Sequence, residues 1–166
     1  MRTGIGLGSN LGDRLTNLRV ARKSVAAIPN VNGPILSSPV YETDPIDCEV
    51  GAAKFFNAVI EVDYEGEPNE LLERLIQIEE SLGRNRDHAR NVSRLIDLDL
   101  LYFGERKIES SELQLPHPRL QQRRFVLQPL ADIRPDLIFP DQAEPVRELL
   151  ARLSDSSKVR RSSEQW

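Results

Sequence analysis

Asp97 and Asp99 stand two residues apart inside an otherwise apolar run, Leu95-Ile96-Asp97-Leu98-Asp99-Leu100-Leu101-Tyr102-Phe103. The run reads as a strand, and on a strand residues i and i+2 share a face, their alpha carbons about 6.6 Å apart. The two carboxylates therefore project together, while Ile96, Leu98 and Leu100 turn to the other face. Carboxylates so placed repel each other and lose hydration unless a cation or hydrogen-bond donors compensate. Oxygen-only ligands on a rigid strand suit a hard cation such as Mg2+. Arg84, Arg86, Arg90 and Arg94 lie just upstream, and guanidinium forks bind phosphate oxygens in pairs. Cation ligands beside anion clamps point to a polyphosphate held between magnesium and arginines.

Other candidates are weaker taken singly. Arg119, Arg123 and Arg124 form a second basic group, and His117 is held in an extended loop by Pro116 and Pro118. Gly6-Leu7-Gly8-Ser9-Asn10-Leu11-Gly12 joins a strand to a helix, as a phosphate-binding turn would, but without a Walker lysine. Asn57 is polar within an apolar strand, and a buried amide needs partners that the edge of a heterocycle could supply. Phe55 and Phe125 are core candidates by default. Cys48 is the lone cysteine and there are two histidines, which excludes an internal disulfide and argues against zinc.

These residues need a scaffold. Thr3–Leu7 reads as a strand, followed from Leu11 by a helix with Leu11, Leu15, Leu18, Ala21, Val25 and Ile28 on one face and Pro29 as its stop. Ile35–Tyr41 reads as a second strand, Thr43–Lys54 as a loop, and Phe55–Tyr64 as a third strand in which Phe56, Ala58, Ile60 and Val62 alternate with Asn57 and Glu61. Pro68 opens a helix that Gly83 closes with a left-handed cap. After the arginine loop 84–93 and the strand Leu95–Phe103 come a turn at Gly104–Lys107 and a short extended piece near Leu113–Leu115. Arg119–Ile133 is expected to be helical with an interruption at Pro129, and Val146–Leu153 forms a last helix. The order strand, helix, strand, strand, helix, strand implies an α+β fold, a ferredoxin-like sandwich with a mainly antiparallel sheet and an appended C-terminal helical part. Residues 1–153 are expected to form one domain and 154–166 a polar, disordered tail.

At 166 residues a single domain buries enough surface to need no disulfide or structural metal. The N-terminus has no signal-peptide core and no apolar run approaches the roughly 18 residues of a membrane span, so the cytoplasm is the expected location. A net charge of −4 with 5% aromatic residues argues against general nucleic-acid binding, leaving the arginines to a small anion.

Together these segments resemble one family, the 6-hydroxymethyl-7,8-dihydropterin pyrophosphokinases of folate biosynthesis. The resemblance rests on Gly8-Ser9-Asn10-Leu11, the Tyr41–Pro45 loop, Phe56-Asn57-Ala58, Glu79 with Gly83-Arg84, Arg94-Leu95-Ile96-Asp97-Leu98-Asp99, Pro116-His117 and Arg123-Arg124-Phe125. It implies transfer of a diphosphate from ATP to the pterin hydroxymethyl group, with AMP released. It further implies that Asp97 and Asp99 ligate two Mg2+ ions and that Arg84 and Arg94 stabilise phosphate charge. Glu79, Arg86, Arg94, His117 and Arg123 are assigned to the nucleotide. The pterin is expected between Phe55 and Phe125, read by Asn57 and by the chain near Thr43, Pro45 and Ile46. The implied partners are ATP and a dihydropterin, with no nucleic acid and no membrane, and the implied state is a monomer.

The chain departs from the family pattern in places. Val92-Ser93 precedes the signature arginine where Gly or Ala and then Pro are usual, and Asn91 replaces a loop aromatic. Phe55 stands where tyrosine is common, and Glu112 and Gln114 where some members place Arg and Thr. Two other readings compete. One is a different Mg-dependent nucleotidyl or glycosyl transferase with an Asp-x-Asp site; the other is a non-enzymatic ferredoxin-like regulatory or RNA-binding module.

Overall fold

The computed structural model describes residues 1–45, 51–83, 94–140, 142–155 and 157–166. Its frame is strand β1 (Arg2–Ser9), helix α1 (Arg14–Ala26), strands β2 (Val31–Ser37), β3 (Tyr41–Thr43) and β4 (Phe55–Tyr64), helix α2 (Pro68–Ser81) and strand β5 (Asp97–Phe103). A small hairpin of β6 (Ile108–Glu109) and β7 (Gln114–Leu115) leads to a 3-10 turn at Leu120–Gln122. Helices α3 (Arg124–Ile133) and α4 (Val146–Arg152) and strand β8 (Val159–Arg161) follow. Among the described residues six strands form one sheet in the order β5-β1-β4-β3-β8, with β2 also on β4. Every pairing is antiparallel, so the fold is the α+β class with a mainly antiparallel sheet that the element order implies. Among the described residues no helix is long and apolar enough to cross a membrane.

Period-two alternation sends each strand's side chains to two faces. One face carries Ile5, Leu7, Ile60, Val62, Leu98 and Leu100 and packs on Leu18, Ala21 and Val25 of α1 and Leu71 and Leu75 of α2. The second carries Val59, Leu101 and Tyr102 beneath Val126, Leu127 and Leu130 of α3, Phe139, and Val146 of α4. A Cβ on Gly4 would meet Tyr102 Cε1 at 2.1 Å, so the tyrosine ring rests on bare backbone of β1. This cover reaches only part of the second face. At its far end Phe55, Asp97 and Asp99 are just half-buried.

Several expectations need correction. The tail expected to be disordered supplies β8, whose Val159, Arg160 and Arg161 pair with Thr43, Glu42 and Tyr41. Trp166 Nε1 then donates to Ser38 O at 2.8 Å, and the Arg22 guanidinium lies 4.8 Å from the Trp166 ring centroid. A polar segment can order in this way because main-chain pairing needs no apolar side chains. The strand expected over Ile35–Tyr41 is two strands, broken at Ser38-Pro39-Val40. Pro39 has no N–H for the ladder, while Ser38 takes up Val59 by accepting its N–H at its hydroxyl, 2.9 Å, and donating its own N–H to Val59 O, 2.9 Å.

Helix α1 starts at Arg14 rather than Leu11, because Asp13 accepts Thr16 N–H at 3.0 Å as its N-cap, and Leu11 is left 40% exposed. Pro129 does not interrupt α3, whose burial of Val126, Leu127, Pro129 and Leu130 outweighs one lost backbone bond. Glu61, on the β4 face away from α1 and α2, is 5% exposed because α3 lies over that face. It accepts Tyr102 OH at 2.6 Å and Arg134 Nε at 2.9 Å.

Candidate active site

The exposed end of the second face is built from three adjacent strands. Gly8 of β1 pairs with Asp97 of β5 on one side and with Asn57 of β4 on the other, and Gly6 pairs with Asp99. Strands lie about 4.8 Å apart, so Asp97 and Asn57 stand about 10 Å apart across the glycine. Gly8 is the floor between them. A Cβ there would meet Asn57 Oδ1 at 3.0 Å, Asp97 Cβ at 3.9 Å and Phe55 Cδ1 at 3.9 Å. Asn57 Nδ2 donates to Thr43 Oγ1 at 2.7 Å, which carries the floor across to β3.

Asp97 and Asp99 share this face, while Leu98 and Leu100 are buried on the opposite one. Arg94 Nη1 reaches Asp97 Oδ2 at 2.8 Å, both side chains 22% exposed. The arginine is fixed at its backbone, since Asn10 Oδ1 accepts Arg94 N–H at 2.7 Å and Asn10 N–H donates to Arg94 O at 3.2 Å. Asn10 Nδ2 also donates to Ala53 O at 3.4 Å. Arg94 Nε is buried with no hydrogen-bond partner among the described residues. A buried donor left unsatisfied is costly, and an oxyanion at this point would satisfy it.

The loop after β7 and the start of α3 close the site from the other side. The Leu115–Pro116 peptide is cis, and His117 N–H donates to Leu101 O at 2.8 Å. His117 Nδ1 accepts the Arg119 N–H at 3.2 Å. Burial, then the charges of Arg123 and Arg119, push the imidazole down to about 4, with Asp97 pulling the other way. A neutral ring whose Nδ1 accepts must carry its proton on Nε2, so His117 offers an N–H donor. The Arg123 guanidinium lies 5.3 Å from the Phe125 ring centroid. Burial and Arg119 lower its pKa, opposed by Asp99 and Asp97. Arg94, Arg119, Arg123 and His117 thus share one electrostatic neighbourhood with the two aspartates.

Two carboxylates on a rigid strand fit Mg2+, which commonly takes one or two protein carboxylates and completes its shell with phosphate oxygens and water. Among the described residues no group of three or more His, Cys, Asp or Glu could hold a metal through protein ligands alone. The donor set therefore suits a metal that arrives with a phosphate.

Of the residues singled out from sequence, Asp97, Asp99, Arg94, Asn57, Phe55 and Thr43 gather at the floor, with His117, Arg123 and Phe125 on the α3 side. Pro45 follows β3, half-buried. Glu79 is 5% exposed, and its Oε1 accepts Leu98 N–H at 2.6 Å, so α2 grips the backbone between the two aspartates. Arg84, Arg86, Arg90, His88, Asn91, Val92, Ser93, Ile46 and Cys48 lie outside the described residues. Sequence reasoning missed the backbone clamp of Asn10 and the closeness of Arg119. The unbroken Gly8-Ser9-Asn10 signal was the only hint of the first.

The model of the 7,8-dihydro-6-hydroxymethylpterin-pyrophosphokinase family matches residues 4–135. A 2-amino-4-hydroxy-6-hydroxymethyldihydropteridine pyrophosphokinase from Bacillus subtilis is 46% identical over 129 residues, covering 78% of this chain and 75% of the relative. One of the same description from Methylorubrum extorquens is 39% identical over 155 residues, 93% and 95% of the two chains. The solved Plasmodium falciparum HPPK-DHPS with pteroate superposes with a TM-score of 0.69 at 16% identity, over 91% of this chain. This chain spans 42% of that longer one, so the likeness concerns the fold of one part of it. Matched over most of its length by the family model, and by relatives from two bacteria, the chain belongs to the 7,8-dihydro-6-hydroxymethylpterin-pyrophosphokinase family.

Proposed function

We propose that this chain transfers a diphosphate from ATP to the hydroxymethyl group of 6-hydroxymethyl-7,8-dihydropterin and releases AMP, a step in tetrahydrofolate biosynthesis. The observation that carries the reading is the pairing across Gly8 of a carboxylate site, Asp97 with Asp99, and an oriented carboxamide, Asn57. One end suits a metal-bound triphosphate and the other a flat heterocycle with a donor–acceptor edge.

In this reading the pterin hydroxyl oxygen bonds to the β-phosphorus as its proton passes to solvent, the bond from that phosphorus to the α,β-bridging oxygen breaks with its electron pair left on that oxygen, and AMP leaves. Asp97 and Asp99 would hold two Mg2+ ions, which when bound supply charge neutralisation on the phosphates and acidify a neighbouring hydroxyl. Arg94 and Arg123 bind phosphate oxygens, and His117 donates from Nε2. Arg84, Arg86 and Glu79 complete the nucleotide side of the proposal. Phe55 and Phe125 sandwich the pterin, Asn57 reads its edge, and Thr43 and Pro45 line it. Catalysis here is positioning and electrostatics, with no strongly shifted base.

The test is incubation with ATP, Mg2+ and 6-hydroxymethyl-7,8-dihydropterin, with the nucleotides then resolved. Pterin-dependent AMP is expected. ADP would mean γ-phosphoryl transfer and overturn the reading, as would pyrophosphate release.

A further inference from the structure

The segment after α4 touches both sides of the proposed pterin site. Asp155 Oδ2 accepts the Arg124 N–H at 3.0 Å, at the first residue of α3. Arg124 answers with its side chain, Nε donating to Asp155 O at 3.1 Å and Nη2 to Leu153 O at 3.0 Å. Asp155 Oδ1 is fixed in turn by Ser157 N–H at 2.8 Å. Four residues after Asp155 the chain enters β8, where Val159 pairs with Thr43, and Thr43 pairs on its other side with Phe55. One short stretch therefore fastens the helix end that carries Arg123 and Phe125 to the strand that carries Thr43. It lies beyond residues 4–135, the part matched by the family model.

The Asp155 carboxylate is matched to this task. Burial alone would raise its pKa, but the Arg124 and Ser157 amides outweigh that and hold it below the usual carboxylate value. An anion at the first turn of a helix satisfies an otherwise orphaned N–H and favours the helix dipole. No side-chain cap does this from α3's own N-cap residue, Arg123. The acceptor is supplied from the tail instead.

We propose that Asp155 is a positioning residue for the pterin pocket, holding the start of α3 and with it Phe125, the ring assigned above to one face of the pterin. The inference rests on the pterin reading given above. Asp155 touches no substrate in it and acts through Phe125.

A double-mutant cycle of Asp155→Ala and Phe125→Ala tests this, read by equilibrium titration of 6-hydroxymethylpterin fluorescence at saturating Mg2+ and non-hydrolysable ATP analogue. Asp155→Ala is expected to weaken pterin binding about tenfold and analogue binding less than about threefold. It should add little once Phe125 is already alanine, because coupled residues are non-additive. Asp155→Asn, which keeps one acceptor oxygen but loses the charge and turns an amide nitrogen toward the Arg124 or Ser157 N–H, should fall between the parent and Asp155→Ala. Additive losses in the cycle, or a pterin affinity unchanged by Asp155→Ala, overturn the proposal. Should Asp155→Ala fail to fold, Arg124→Ala, which removes only the two side-chain bonds to tail carbonyls, takes its place in the same cycle with the same expected non-additivity. Binding is read without turnover, so a parent protein that binds pterin but makes no AMP defeats the functional reading alone. A parent that binds no pterin defeats both.

Discussion

Asn57 Nδ2 donates to Thr43 Oγ1 at 2.7 Å, and this bond decides which end of the Asn57 carboxamide faces Gly8. With the amide nitrogen turned to β3, Oδ1 lies toward β1, where a Cβ on Gly8 would meet it at 3.0 Å. Gly8→Ala should therefore push the carboxamide off its position while leaving the carboxylate strand in place. The expected result is a rise of about tenfold in KM for the dihydropterin, about 1.4 kcal/mol of binding. KM for ATP should change less than about twofold. Steady-state kinetics with each substrate varied in turn would check this, and equal rises in both constants would sink the assignment of Asn57 to the pterin.

The Arg94–Asp97 pair is 22% exposed at both partners, and an asparagine at 97 still offers Arg94 an acceptor oxygen. Replacing either aspartate by asparagine should leave far-UV circular dichroism unchanged and move Tm by only a few degrees. The rate of AMP formation should fall by about 10²–10³-fold or more, the order lost when one preorganised charge stabiliser is removed. A variant that keeps near-parental rates at limiting Mg2+ would contradict a metal role for its residue.

His117 gives the site a pH signature. Its folded pKa, about 4, lies below the unfolded value of 6.5, so between these limits the unfolded chain binds more protons. Its contribution to stability is present above pH 6.5 and is lost as pH falls through 4. Thermal melts of the parent should show this loss on acidification, and His117→Gln should flatten it. An incoming triphosphate reverses the balance, because its negative charge favours imidazolium. Calorimetry in buffers of different ionisation enthalpy near pH 5.5 should show more net proton uptake on binding of an ATP analogue to the parent than to His117→Gln, the nucleotide's own phosphate protons being common to both. An equal proton balance in the two would place the ring away from the phosphates.

What the sequence revealed and what it hid follow from the range of the interactions. The bounds of β4, Phe55–Tyr64, and the start of α2 at Pro68 are local, set by alternation and by a proline at the first turn, and both are found where the pattern puts them. The common face of Asp97 and Asp99 is equally local, needing only the period of a strand. The pairing of Val159 with Thr43 spans more than a hundred residues and uses main-chain groups, so no side-chain pattern announced it. Glu79 shows the limit within one helix. Periodicity marks its face, but only the packed structure shows its carboxylate accepting Leu98 N–H between the two aspartates.

Glu61 is a residue whose burial alternation alone does not reveal, and it yields the last prediction. Period two places it with Asn57, away from the α1–α2 core, and α3 then buries it to 5% exposure. Its carboxylate accepts Arg134 Nε at 2.9 Å and Tyr102 OH at 2.6 Å, and burial followed by this bond drives the Tyr102 hydroxyl pKa far upward. Arg134→Ala would strand a buried carboxylate on one phenol, a change that typically costs about 3–5 kcal/mol. Tyr102→Phe should cost about 1–3 kcal/mol, the price of one unmade buried bond. Replacing both charges at once, Glu61→Leu with Arg134→Leu, should recover part of the loss, since an apolar pair has no charge to desolvate while the buried Tyr102 hydroxyl loses its acceptor. Urea denaturation of the three variants measures all of this. A double variant no more stable than Arg134→Ala would mean that the pair holds α3 in register and does more than neutralise a charge.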